Sequence, residues 1–148
     1  MYEDEISFLL AVEDKTDESN KRLLFSEESC IKLKNKYPSI PEEFLSYLQE
    51  IGAGTVREQQ YWIYEDPALH NKDERFSWYK PTDFLEKNYL VIGDDFAGNL
   101  YALDIQNDYA PVLLDHECLE EFPFDGSIKY FFREMMLLDK DGKDQRAY

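Results

Sequence analysis

Basic residues are scarce in this chain, as are histidine, cysteine, glycine and long apolar runs. Only 16 Lys and Arg stand against 32 Asp and Glu, for a formal net charge of −16 over 148 residues. A surface this negative repels nucleic-acid phosphates and anionic lipid, so neither is expected as a partner. The apolar runs extend over a handful of residues, far short of the ~20 that a membrane-spanning helix requires. The first ten residues, MYEDEISFLL, are acidic where a secretory signal is basic, which points to a cytoplasmic location. Without an export signal, Cys30 and Cys118 are expected to be reduced and mostly buried. With two histidines, His70 and His116, general acid–base work would fall to paired carboxylates, and nothing in the sequence singles out a pair. No Gly-x-Ser-x-Gly, phosphate-binding glycine loop or His-Glu-x-x-His occurs. The chain is not expected to be an enzyme.

What is present is aromatic mass and clustered acid. Aromatics make up 16% of the residues, including 11 Tyr and 10 Phe, enough buried area to argue for a folded chain despite the charge. The length suits one domain, taken as residues 1–148. Residues 1–20 carry seven acids against one base, and residues 83–121 carry ten against one. The rest of the chain is close to balanced, with 15 acids against 14 bases. Acidity of this kind can simply maintain solubility, or it can speed encounter with a basic partner.

The segment YLVIGDDFAGNLYALD, residues 89–104, organises the rest. Two apolar runs, Tyr89 to Ile92 and Leu100 to Leu103, flank a Gly-, Asp- and Asn-rich turn, so paired strands are expected. Both runs are apolar at every position, which places them centrally in a sheet covered on both faces. Around this hairpin the pattern predicts a helix over Tyr2 to Glu13 with Ile6, Leu9 and Leu10 on one side. A second helix is capped by Ser26, carries Cys30, Leu33 and Tyr37 on one face, and stops at Pro38. A third opens at Pro41-Glu42-Glu43, buries Phe44, Leu45, Leu48 and Ile51, and ends at Gly52-Ala53-Gly54. One strand is expected around Gln60–Tyr64, punctuation at Asp66-Pro67, a helical turn at Thr82–Leu85 and a strand over Pro111 to Leu114. A last helix follows Asp125-Gly126-Ser127, with Ile128, Phe131, Phe132, Met135 and Leu138 along one side. The tail, residues 139–148, is polar and expected to fray. Helices, then strands, then a helix define an α+β domain: helices packed against one mainly antiparallel sheet.

The candidate partner-binding residues are the acids Asp94, Asp95, Asp104, Asp108, Asp115 and Glu117, with Trp62, Trp78 and Tyr79 as aromatic anchors. Each has a plainer reading: Asp94 and Asp95 as turn residues, Trp62 as core, and Phe76, Trp78 and Tyr79 as lids on it. Asp94, Asp95, Asp104 and Glu117 also have the oxygen chemistry for a divalent ion, and His116 with Cys118 would make half of a zinc site. Acid-rich hairpins without metal are far commoner, and no cofactor or metal is expected.

Four pieces, IPEEFLSYLQEIGAG, VIGDDFAGNLYALD, PVLLDHE and DGSIKYFFREM, stand in the order and spacing found in the SUKH superfamily. The chain resembles that superfamily over residues 25–138. Departures are mild: Ile40-Pro41 replaces Leu-Pro, Ile51-Gly52-Ala53-Gly54 replaces an Asn-Gly-Gly stop, and Ala97 stands where Gly is common. The superfamily includes fungal cell-wall synthesis regulators and many bacterial immunity proteins. The resemblance implies a binding protein that sits on a basic toxin domain, of nuclease or deaminase type. A regulatory scaffold or ligand-sensing module of the same fold is the alternative, and a small carboxylate–metal hydrolase ranks third.

Overall fold

Helix starts fall where capping chemistry puts them. The computed structural model describes residues 1–76, 78 and 87–146. Ser26 and Ser127 each accept a hydrogen bond from the backbone N–H three residues on, opening α2 (Glu27–Lys36) and α4 (Ile128–Met135). α1 (Glu3–Val12) starts with three acids in its first turn, and α3 (Glu42–Glu50) follows Pro41 with two more. α2 buries Cys30 and Leu33, α3 buries Phe44, Leu45, Tyr47 and Leu48, and α4 buries Ile128, Phe131 and Phe132. On α1 the buried side is Glu5, Phe8 and Leu9, whereas Leu10, expected inside, is exposed.

Among the described residues, six strands form one antiparallel sheet whose spatial order follows the chain. They are β1 (Gly54–Val56), β2 (Tyr61–Leu69), β3 (Tyr89–Asp94), β4 (Leu100–Asp104), β5 (Ala110–Leu114) and β6 (Glu121–Pro123). The molecule is a single α+β domain, as the order of elements implied. β3 and β4 are central and buried at every position but Asp94. Strand alternation splits their side chains between two cores. Leu90, Ile92, Tyr101 and Leu103 join the helices; Tyr89, Val91, Leu100 and Ala102 meet Tyr64, Phe76, Val112 and Leu114 on the other side.

Several elements depart from the expected pattern. β2 runs on through Asp66-Pro67 instead of ending at Tyr64, because its pairing with β3 shifts between Ile63 and Ala68 and that irregularity accommodates the proline. β3 continues through Gly93 and Asp94, which sequence alone assigns to the turn. β1 and β6 are short edge strands of three residues each, below the length at which alternation is readable. The Thr82–Leu85 turn lies outside the described residues.

Within the polar tail, Asp144 is tied back to the body of the domain. Arg57, itself 4% exposed, holds Asp144 by two hydrogen bonds of 2.8 and 2.9 Å, and Leu138 bridges to Asp144. That pairing keeps the Asp144 carboxyl below the usual Asp range. Three further ion pairs fix α1. Glu13 grips Arg22 at 2.8 and 2.9 Å, and the fully buried Glu5 faces Arg133 at 3.4 Å and Lys129 at 3.7 Å on α4.

His70 packs its ring against Tyr89 of the second core, with centroids 5.1 Å apart. Its backbone pairs with Tyr89, and its Nδ1 accepts the Tyr89 N–H at 3.3 Å, which places the ring proton on Nε2. Burial pushes the imidazole below its ordinary value. A histidine depressed on folding contributes stability that is fully present above its unfolded value, near 6.5, and lost as pH falls toward the folded value. The unfolding midpoint is therefore expected to drop between about pH 7 and pH 5. The drop should be smaller in His70→Gln, which keeps a polar group but cannot take up the proton. Equal slopes in both proteins, measured by urea denaturation, would remove His70 from the account.

Candidate functional site

Because the sheet is a meander, its turns alternate between two ends. The turns after β1, β3 and β5 share one end; those after β2 and β4 share the other. This sorting divides the candidate acids. Asp94, Asp95, Asp115 and Glu117 lie at the first end, Asp104 and Asp108 at the opposite one.

Asp104 is not a surface acid. It is 6% exposed, paired across to Tyr89 and Ala110, so it cannot take part in a surface contact. An all-apolar strand buried on both faces carries its last residue inside with it. Asp108 is exposed, but as a left-handed turn residue at the end remote from the other acids.

At the first end, two loops form one unit. Asp95 Oδ1 accepts the N–H groups of Ala97 and Asn99, and its Oδ2 takes the Asn99 side-chain amide at 2.9 Å. Asn99 Oδ1 in turn contacts His116 Nδ1 at 2.8 Å, linking the β3–β4 turn to the loop after β5. Gly98 makes this fit possible: its φ of +100° favours glycine, and a Cβ there would press on the His116 ring at 3.1 Å. Asp115 accepts the N–H groups of Cys118 and Glu117, which hold its carboxyl below the usual range. Glu117 points to solvent with His116 Nε2 3.9 Å away. So Asp95 and Asp115 are turn-formers, as is Asp94, whose Oδ1 accepts the Phe96 N–H at 2.9 Å. Among the described residues, no Lys or Arg pairs with any of these four acids.

The aromatic anchors sit beside this acidic end, on the sheet face away from the helices. Trp62 pairs across to Asp94 and is 41% exposed, not core. Its ring lies edge-on to Tyr64 at 4.9 Å and parallel within 17° to Phe96 at 6.1 Å. Phe96 occupies the tip of the β3–β4 turn, 46% exposed. Together with Trp78, also exposed, and the Tyr64–Asp94 pair, they line a cleft of about 420 Å³. Tyr64 donates its hydroxyl to Asp94 Oδ2 at 2.6 Å, and burial with that carboxylate raises the phenol well above its ordinary value. Phe76 is buried, as a lid would be, whereas Tyr79 lies outside the described residues.

Asp94 reaches this face through a bulge. Val91 pairs with Ala102, but Gly93 pairs with Tyr101, so Ile92 is an extra residue. Without that insertion, alternation would turn Asp94 toward the helices. Glycine is needed at 93 because a Cβ would collide with the Trp62 carbonyl oxygen. Phe96, Tyr64 and Arg75, missed in the sequence, complete the cleft. A phenylalanine inside an otherwise polar turn was the available signal for the first.

Among the described residues, no group of three or more His, Cys, Asp or Glu side chains is arranged to hold a metal ion. His116 is committed to Asn99, and Cys118 is exposed instead of buried, while Cys30 is buried as expected. No described helix is long and apolar enough to cross a membrane. The chain matches no family model, no curated protein and no solved structure.

Proposed function

We propose that this chain is a non-catalytic binding protein of SUKH type, an immunity protein that neutralises a basic toxin domain of nuclease or deaminase class. The observation that carries the reading is the acidic end of the sheet. Asp94, Asp95, Asp115 and Glu117 stand together there without a Lys or Arg partner among the described residues, beside the exposed rings of Trp62 and Phe96. Enzymes that act on nucleic acid or nucleotides present cationic surfaces to phosphate, and a blocker of such a surface is complementary when it is acidic at the rim and aromatic at the anchor. An antiparallel sheet with helices on one face supports the SUKH resemblance at the level of fold class.

The test is association with a basic toxin domain encoded beside this chain. At equimolar ratio the complex should unfold at a higher temperature than either partner. The association rate should fall about tenfold between roughly 50 and 500 mM salt, because steering by exposed charge is screened. A rate independent of salt would remove the acidic end from the mechanism. Absence of any complex would remove the function.

A further inference from the structure

We infer that the cleft walled by Trp62, Trp78 and Phe96 seats one cationic side chain, an arginine or lysine, from the protein that the acidic end of the sheet meets. This rests on the binding reading above and names the anchor within it.

Exposed aromatic rings are the first support. Trp62 and Phe96 expose two-fifths or more of their surface and lie parallel within 17° of each other. An indole face is the strongest natural seat for a cation, and exposed large aromatics are otherwise costly to leave in water. The second support is a carboxylate without a counter-ion. Asp94 accepts from the Tyr64 hydroxyl at 2.6 Å and the Phe96 N–H at 2.9 Å, so the protein fixes its position beside the rings. Among the described residues no cation pairs with it.

The third support is that the chain already does this once in the same cleft. Arg75 lies 5.4 Å over the Tyr64 ring and 5.0 Å over Phe76, with its charge matched by Asp66 and Asp73 at 3.0 Å each. Aromatic face plus carboxylate is thus the local recipe for holding a guanidinium. On the Trp62 side the rings and the carboxylate recur, with no cation paired to Asp94 among the described residues. An apolar side chain would use the rings but strand Asp94 out of water. An anion would meet Asp94 and the overall charge of −16. A cationic side chain satisfies both elements.

Trp62 and Trp78 are the chain's 2 tryptophans and both line the cleft, so intrinsic tryptophan emission reports on this site alone. Titration with hexaarginine amide, followed by emission and calorimetry together, should give a saturable change that hexaglutamate and a Gly-Ser hexapeptide do not produce. Trp62→Ala should weaken hexaarginine about tenfold and Asp94→Asn about fivefold, with circular dichroism unchanged, since Trp62 is exposed and an Asn at 94 still accepts the Phe96 N–H. Calorimetric binding without a change in emission, no binding at all, or variants that bind like the parent would each overturn the assignment. The two readings fail separately. If the basic toxin domain binds and Trp62→Ala and Asp94→Asn leave its affinity intact, the cleft is dismissed and the function stands. If hexaarginine binds as described and no basic toxin domain does, the function is dismissed and the cleft stands.

Discussion

Phe132→Ala is expected to lower the unfolding free energy by about 3–5 kcal/mol, a large share of what a domain of this size has. Phe132 is fully buried and couples α4 to α3: its ring stacks on Tyr47 at 3.8 Å and lies 6.5 Å from Phe44 and 5.7 Å from Phe131. Removing it opens a void flanked by rings too rigid to collapse into the space. The Tyr47 hydroxyl is committed to Tyr61 on β2 at 2.8 Å, so Tyr47 cannot move without losing a buried hydrogen bond. The urea midpoint should fall with the slope unchanged. A loss under about 1 kcal/mol would mean that α4 does not pack on α3 as described.

Gly93→Ala is expected to cost about 2–3 kcal/mol and to disturb the cleft at the same time. The new methyl group would meet the Trp62 carbonyl first and then the Ile63 side chain, and the first is backbone of the neighbouring strand. Relief requires β2 to move away from β3 at the point where Trp62 and Asp94 face each other. Unfolding should therefore come earlier, and tryptophan emission should shift in the folded protein. An alanine variant with parental midpoint and emission would show that the bulge has room to spare.

These two positions differ in how readable they are. Phe132 belongs to a helix whose buried face repeats at three and four residues, and that repeat survives any tertiary arrangement. Gly93 looks like a turn residue because Gly-Asp-Asp is ordinary turn chemistry. Only the partner strand shows that the glycine is in the ladder, under a carbonyl. Leu10 is exposed for a related reason: α1 has apolar residues on more than one side, and the core takes in Phe8 and Leu9 and leaves Leu10 in water.

The site was half legible. Acids and tryptophans could be named as candidates, but their grouping depends on which turns share an end of the sheet. That parity follows from the order of β3, β4 and β5, and Trp62 joins the acids only because β2 pairs with β3 in the register that sets it opposite Asp94. Asp104 and Asp94 show the consequence: one acid is carried inside by its strand, and the other is delivered to the surface cleft by one extra residue.

Sequence by itself determined the α+β class, the helix caps, the doubly buried central hairpin and the excess of negative charge, because each is a property of local pattern or of summed composition. Tertiary structure alone decided which carboxylates share a surface, which aromatics stay in water, and that Trp62, Phe96 and Asp94 adjoin. Those outcomes depend on register, and a shift of one residue sends a side chain to the opposite face of the sheet.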